Sequence, residues 1–189
     1  MGTPGTEEVV LTEDEMNRGY TARCHKRLKE WNAPFSGWYC TGVEDYADEH
    51  ADTGLFTCEL CGCRRVRFVH VMRNDEYFED ISVGCICAGV MEGSILAAKE
   101  RERRMKNRAA RRRNFPCRRW EETAGGGYFL RYRGIPVRIV RSRHSAGCYG
   151  AECAGRTVWM YKGRRIRDFP SAAYAASGLA DPAERIWNA

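Results

Sequence analysis

The chain has 189 residues, a net charge of +6 and ten cysteines. That length suits one medium domain or two to three small modules, and there is no run of about 18 apolar residues to span a bilayer. The sequence also lacks a basic, apolar signal-like opening, so a cytoplasmic protein without membrane association is expected, and there clustered cysteines point to metal rather than disulfides.

Charge is unevenly distributed. Residues 1 to 60 carry 12 acidic and 5 basic groups, and the remainder 13 acidic and 26 basic. Such polarity marks an electrostatic role for the basic part, with nucleic acid the commonest acidic partner.

Residues 1 to 11 are rich in Gly, Thr, Pro and Glu and read as disordered. Thr12 and Glu15 stand in capping-box relation at the start of a helix that runs, with an interruption at Gly19, towards Trp31. The aromatic segment from Trp31 to Tyr39 is broken by Pro34 and Gly37 and reads as a loop whose rings pack on a neighbour. Glu44, Asp45, Asp48, Glu49 and Asp52 form an acidic linker. Cys24, Cys40, Cys117, Cys148 and Cys153 are scattered and read as small buried hydrophobes.

The next segment carries metal chemistry. Cys58-Glu-Leu-Cys61-Gly62 lets two thiolates from one tight turn reach the same ion about 2.3 Å away, with Gly62 free to take a left-handed conformation. Val66 to Met72 alternates as a strand, Asn74 and Asp75 supply a turn, and Tyr77 to Val83 returns. Cys85 and Cys87 follow at the start of a helix, whose dipole favours anionic sulfur. Cys58, Cys61 and Cys87 are three ligands of a structural zinc ion. The fourth is Cys85, which must sit before the helix proper because side chains at i and i+2 on a regular helix diverge; His70 is the substitute and Cys63 third. Knuckle, hairpin and helix in this order resemble a treble-clef zinc finger. An iron-sulfur cluster could use the same thiolates. A thioredoxin-like pair lacks its βαβ context, and the deaminase signature is absent.

From about Glu92 to Phe115 the composition favours one helix. Between Arg101 and Arg119 ten basic residues face one acidic residue, Glu102. Arg101, Arg104, Arg108, Arg111 and Arg112 share a broad side, Arg113, Arg118 and Arg119 extend the charge, and guanidinium groups bind phosphate oxygens bidentately. Beyond Pro116, strands are expected over Tyr128 to Arg133, Ile135 to Arg143 and Thr157 to Lys162, with a final Ala-rich helix from about Ser171. Arg131 and Arg133 add basic groups beside aromatic rings that read mainly as sheet core.

Cys58-Glu-Leu-Cys61-Gly62, the Val66–Met72 strand and Val83-Gly-Cys85-Ile-Cys87-Ala-Gly89 together resemble an uncharacterised family of bacterial and phage-associated proteins with a zinc-finger-like centre. The resemblance extends through the basic helix and implies a mobile-element or accessory-gene origin, with no activity to carry over. Trp159 to Ile166 with Phe169 to Ala173 is similar to small three-stranded DNA-binding domains with a C-terminal helix.

The expected fold class is α+β: a helical and acidic segment (1–54), a treble-clef-like zinc module (55–92), a long basic helix (93–119), and a C-terminal antiparallel sheet with one helix (120–189). The expected function is non-enzymatic, a zinc-stabilised binder of DNA or RNA. The alternative is a protein inhibitor or adaptor acting on a host nucleic-acid enzyme, its acidic residues 44 to 59 mimicking phosphate. A treble-clef nuclease would have only His70 as base.

Overall fold

The computed structural model describes residues 13–49 and 54–181. The expected disorder of residues 1 to 11, the Thr12–Glu15 capping box and Asp52 of the linker lie outside the described residues. The fold is mixed α and β, with several antiparallel sheets. It divides into two compact units, residues up to Asn107 and residues from Arg108 on, each with its own hydrophobic core.

In the first unit, α1 (Glu13–Glu30) is polar on most of its surface. Cys24 and Leu28, one helical turn apart, are fully buried, while Arg23, His25, Lys26 and Arg27 are exposed. The helix therefore docks through a single narrow stripe. Trp38, in the loop that follows, is buried and its indole Nε1 donates to Pro34 O at 2.8 Å, which satisfies the one polar atom of a ring placed in the core.

The acidic stretch that reads as a linker instead begins as a strand. β1 (Tyr39–Asp45) pairs antiparallel with β2 (Phe68–Arg73) from Tyr39 opposite Arg73 to Asp45 opposite Phe68. A single turn, α2 (Tyr46–Glu49), follows. Asp45 is held by Arg67 through two 2.9 Å hydrogen bonds, so opposite charge across the strand end offsets the poor strand propensity of acidic residues. β3 (Ile81–Val83) pairs with the other edge of β2, placing His70 opposite Val83. As the central strand, β2 buries Phe68, Val69, His70 and Met72, so the alternation expected of a half-exposed strand gives way to burial on both faces. The turn after it is built by Asn74, whose Nδ2 donates to Ser36 O and whose Oδ1 accepts from Glu76 N, both at 2.9 Å.

β3 runs through Gly84 directly into α3 (Cys85–Glu92), which ends at a left-handed Gly93 with φ 77°. Ser94 Oγ accepts from Ala97 N at 3.2 Å, capping the start of α4 (Ile95–Arg113). A Cβ at Gly89 would overlap the backbone of Ile95; the turn between α3 and α4 is this tight because residue 89 has no side chain.

The second unit is a meander of β4 (Glu121–Glu122), β5 (Tyr128–Tyr132), β6 (Ile135–Arg141), β7 (Tyr149–Cys153) and β8 (Arg156–Val158), paired in that order. A small hairpin follows, β9 (Met160–Tyr161) with β10 (Arg164–Arg165). Three connections are two-residue turns with both residues at positive φ, Arg133-Gly134, Ala154-Gly155 and Lys162-Gly163. That is the turn whose twist matches a hairpin. α5 (Phe169–Ala180) starts two residues before the expected Ser171, capped by Asp168, whose side chain accepts from Ser171 N. It buries Ala172, Ala173, Ala175, Ala176 and Leu179 against β6 and β7, small side chains allowing a close approach to the sheet. No helix among the described residues is long and apolar enough to cross a membrane.

Candidate metal centre and basic surface

Backbone geometry makes the knuckle. Cys58 N donates to Cys63 O and Gly62 N to Cys58 O, both at 2.8 Å, with Gly62 at φ 72°. Gly84 N, at the end of β3, points at Cys58 Sγ at 3.4 Å. From the first turn of α3, Cys87 completes a trio in which the sulfurs of Cys58, Cys61 and Cys87 lie within 4.8 Å of one another, a cluster able to hold a metal ion.

Cys85 does not join this trio. Because α3 begins at Cys85 with Gly84 as its N-cap, Cys85 and Cys87 are both helical, and side chains two apart on a helix diverge by about 200°. His70, the substitute, is not in the trio either; it forms a second group with Cys85 and Glu102. Cys63 is exposed.

The sulfur that does approach comes from α1. Cys24 Sγ stands 3.7 Å from Cys87 Sγ, and both residues are buried, although Cys24 does not lie within 4.8 Å of all three sulfurs of the trio. Sequence reasoning placed Cys24 among the scattered core cysteines. Two signals point to it: the knuckle lacks a second Cys-x-x-Cys, and Cys24 and Leu28 are the buried residues among the described side chains of α1.

As thiols, these groups shift one another's acidity through hydrogen bonds centred on Cys87. The hydrogen bond with Cys87 holds Cys58 down to about 5 and lowers Cys24, whereas Cys87, flanked by both, is raised. Burial raises Cys61. In the second group, burial pushes Cys85 up to about 12, with Glu102 adding to it, and burial lowers His70 to about 4, reinforced by the charge of Arg101.

Charge on α4 is partly consumed within the first unit. Arg101 pairs with Glu92 at 2.6 Å, Arg103 and Arg104 both pair with Glu100 at 2.7 and 3.0 Å, and Lys106 pairs with Glu102 at 2.5 Å. Arg101 and Arg104 of the expected phosphate-binding strip are therefore engaged, Glu92 and Glu100 lying just upstream of the window that looks so basic in sequence.

In the second unit Arg108 pairs with Asp181 at 3.0 Å and Arg112 donates to Tyr161 Oη at 3.2 Å. Arg108, Arg111, Arg112 and Arg133 line a groove with Tyr132 and Asp181. Arg118 lies over the Tyr132 ring at 4.8 Å and Arg133 over it at 5.5 Å, so two cations contact this ring. Arg131 donates to Gly134 O at 3.2 Å. Arg111, Arg113, Arg118 and Arg119 are exposed. The aromatics Tyr128, Tyr132 and Tyr161 pack against the core of this unit.

Comparison with known protein families, with curated proteins and with solved structures finds no match to this chain.

Proposed function

We propose that the protein is a zinc-stabilised, non-enzymatic nucleic-acid-binding protein. Zinc is held by Cys24, Cys58, Cys61 and Cys87 in a treble-clef-like knuckle, hairpin and helix, with α1 supplying the ligand that a second Cys-x-x-Cys would otherwise provide. The metal reading is supported by the 3.7 Å Cys24–Cys87 sulfur separation. Four thiolates about 2.3 Å from a tetrahedral zinc ion stand about 3.8 Å apart; Cys24 has that spacing to Cys87 and would close on the rest of the trio as the ion binds, since it does not lie within 4.8 Å of all three sulfurs.

The observation that carries the nucleic-acid reading is the groove of the second unit, where four arginines face one carboxylate, Asp181. Phosphate contacts then fall on Arg111, Arg113, Arg118, Arg119 and Arg133, and less on Arg101 and Arg104, which are already paired. Tyr132 and its flanking cations offer a surface for backbone oxygens. The mobile-element origin implied by the cysteine motifs fits a cytoplasmic nucleic-acid partner.

The test is a gel shift of the metal-loaded chain with duplex DNA, single-stranded DNA and RNA across a salt series, beside a variant with Arg111, Arg113, Arg118 and Arg119 changed to Ala. Affinity should fall steeply with salt, and the variant should bind on the order of tenfold to a hundredfold more weakly at moderate salt. Weak binding with no salt dependence in both proteins rejects the reading.

One observation favours a protein partner as a second reading. A groove of the first unit is lined by Trp31, Tyr77, Glu59, Glu79 and Asp80, next in sequence to Phe78, which is 82% exposed. Aromatic and acidic groups together suit a basic protein segment better than they suit nucleic acid. The acidic mimicry expected from residues 44 to 59 is weakened by the pairing of Asp45 with Arg67.

A further inference from the structure

We infer that the first unit holds a second divalent metal ion, of the zinc class, bound by His70, Cys85 and Glu102 and separate from the ion of the knuckle. The three residues come from different elements: the central strand β2, the first position of α3, and α4. Their ligand atoms nevertheless lie within 4.8 Å of one another. Register explains two of them, since His70 pairs with Val83 and Cys85 follows Val83 by two residues. The tight α3–α4 turn returns Glu102 to the same place.

The independent sign of a ligand is His70 itself. Its ring is 0% exposed, and its Nε2 has no hydrogen-bond partner. Buried polar atoms are almost always satisfied, so an orphan nitrogen aimed at a thiol and a carboxylate calls for a partner. Glu102 divides its two oxygens accordingly. Oε1 is held by Lys106 at 2.5 Å, and Oε2 faces His70 Nε2 at 4.0 Å. A tetrahedral ion with bonds of about 2.1 Å to both atoms sets them about 3.4 Å apart, so Glu102, a flexible side chain on a helix, closes the gap by about half an ångström.

The other ring nitrogen is also accounted for. Nδ1 lies 3.9 Å from Cys40 Sγ, which in turn lies 3.2 Å from Gly42 O. Cys40 is thus on the far side of the imidazole, where an outer partner fixes the ring's orientation. Imidazole nitrogen, thiolate and carboxylate form a borderline-soft set that suits zinc. Cys85 gives up its thiol proton to solvent on binding, and its thiolate with the Glu102 carboxylate supplies two negative charges to a divalent ion, Lys106 staying on the outer oxygen of Glu102. Three protein ligands leave the fourth position for water or a small exogenous ligand, unlike the closed set of four thiolates proposed at the knuckle.

Native mass spectrometry of the full chain loaded with zinc tests this without reference to nucleic acid. Two ions per chain are expected, falling to one in Glu102→Ala and in Cys85→Ser, and remaining two in Arg104→Ala, whose side chain pairs with Glu100 outside the site. In cobalt-loaded protein, the same two variants should lose the part of the visible spectrum due to a mixed-ligand site and keep the tetrathiolate part. Should Cys85→Ser fail to fold, as judged by circular dichroism, Glu102→Ala against Arg104→Ala decides. One ion per wild-type chain that is lost in Glu102→Ala would support metal at His70 and reject the knuckle centre of the proposed function. One ion per wild-type chain that survives Glu102→Ala, or two ions that survive it, overturns the inference.

Discussion

Cys24 on α1 and Cys87 on α3 hold their sulfurs 3.7 Å apart across 63 positions of sequence. This contact joins α1 to α3, the helix that carries the third sulfur of the candidate metal centre.

Replacing Cys24 by Ser should therefore weaken metal binding by more than the roughly 10–100-fold that loss of an outer-shell partner costs. Competition with a chromogenic chelator measures it. Cys117→Ser, at an exposed cysteine, is the control and should leave affinity unchanged. Equal affinity for both variants would remove Cys24 from the ligand set.

Chelation should unfold the two units unequally. Metal binding to four thiolates contributes directly to folding free energy, on the order of 10 kcal/mol in small zinc modules, and all the candidate ligands sit in the first unit. Hydrogen exchange after metal removal should show loss of protection in β1 to β3 and α3. Protection should persist in β5 to β7, whose core is Val137, Ile139, Ala151 and Cys153 under α5. Uniform loss of protection would mean that the second unit has no independent stability.

Two glycine-to-alanine changes should act in opposite directions. At Gly89 an added Cβ meets the backbone of Ile95, which cannot yield as a side-chain end can, and the change should cost about 1–3 kcal/mol. Gly19 lies within α1 with open space around it, so alanine there should stabilise by up to about 1 kcal/mol through helix propensity alone. Urea denaturation of the metal-loaded variants gives both signs.

Glu100 should titrate far below an ordinary carboxylate. Hydrogen bonds from Arg103 and then Arg104 lower it to about 2. Because its folded-state value is depressed, its stabilising contribution is full above the ordinary carboxylate range and is lost as pH falls towards about 2. Carbon-detected NMR of the side-chain carboxyl reads the midpoint. A midpoint near 4.5 would mean that Arg103 and Arg104 are not held by Glu100 and are available to phosphate.

The basic helix shows how far charge counting reaches. Ten basic residues over Arg101 to Arg119 are plain in the sequence. Which of them are engaged depends on helical spacing, as with Glu100 and Arg104, and on long-range packing, as with Arg108 and Asp181. The acidic stretch at Glu44 and Asp45 reads as a linker because its residues are poor strand formers. It is a strand because β2 needs a second partner and Arg67 pairs with Asp45.

By itself the sequence determined what local chemistry can determine. Cys58-x-x-Cys61-Gly62 specifies a knuckle because spacing and a left-handed glycine suffice; the Val66–Met72 pattern specifies a strand; and the alanine and arginine composition specifies helices. Tertiary structure decided which distant groups meet. The burial of one stripe of α1 brings Cys24 to Cys87, and the start of α3 at Cys85, with Gly84 as N-cap, leaves Cys85 outside the knuckle trio. The register of His70 against Val83 then carries Cys85 to His70 and Glu102. Ligand sets close through space, and a sequence constrains that closure only where its ligands share one turn.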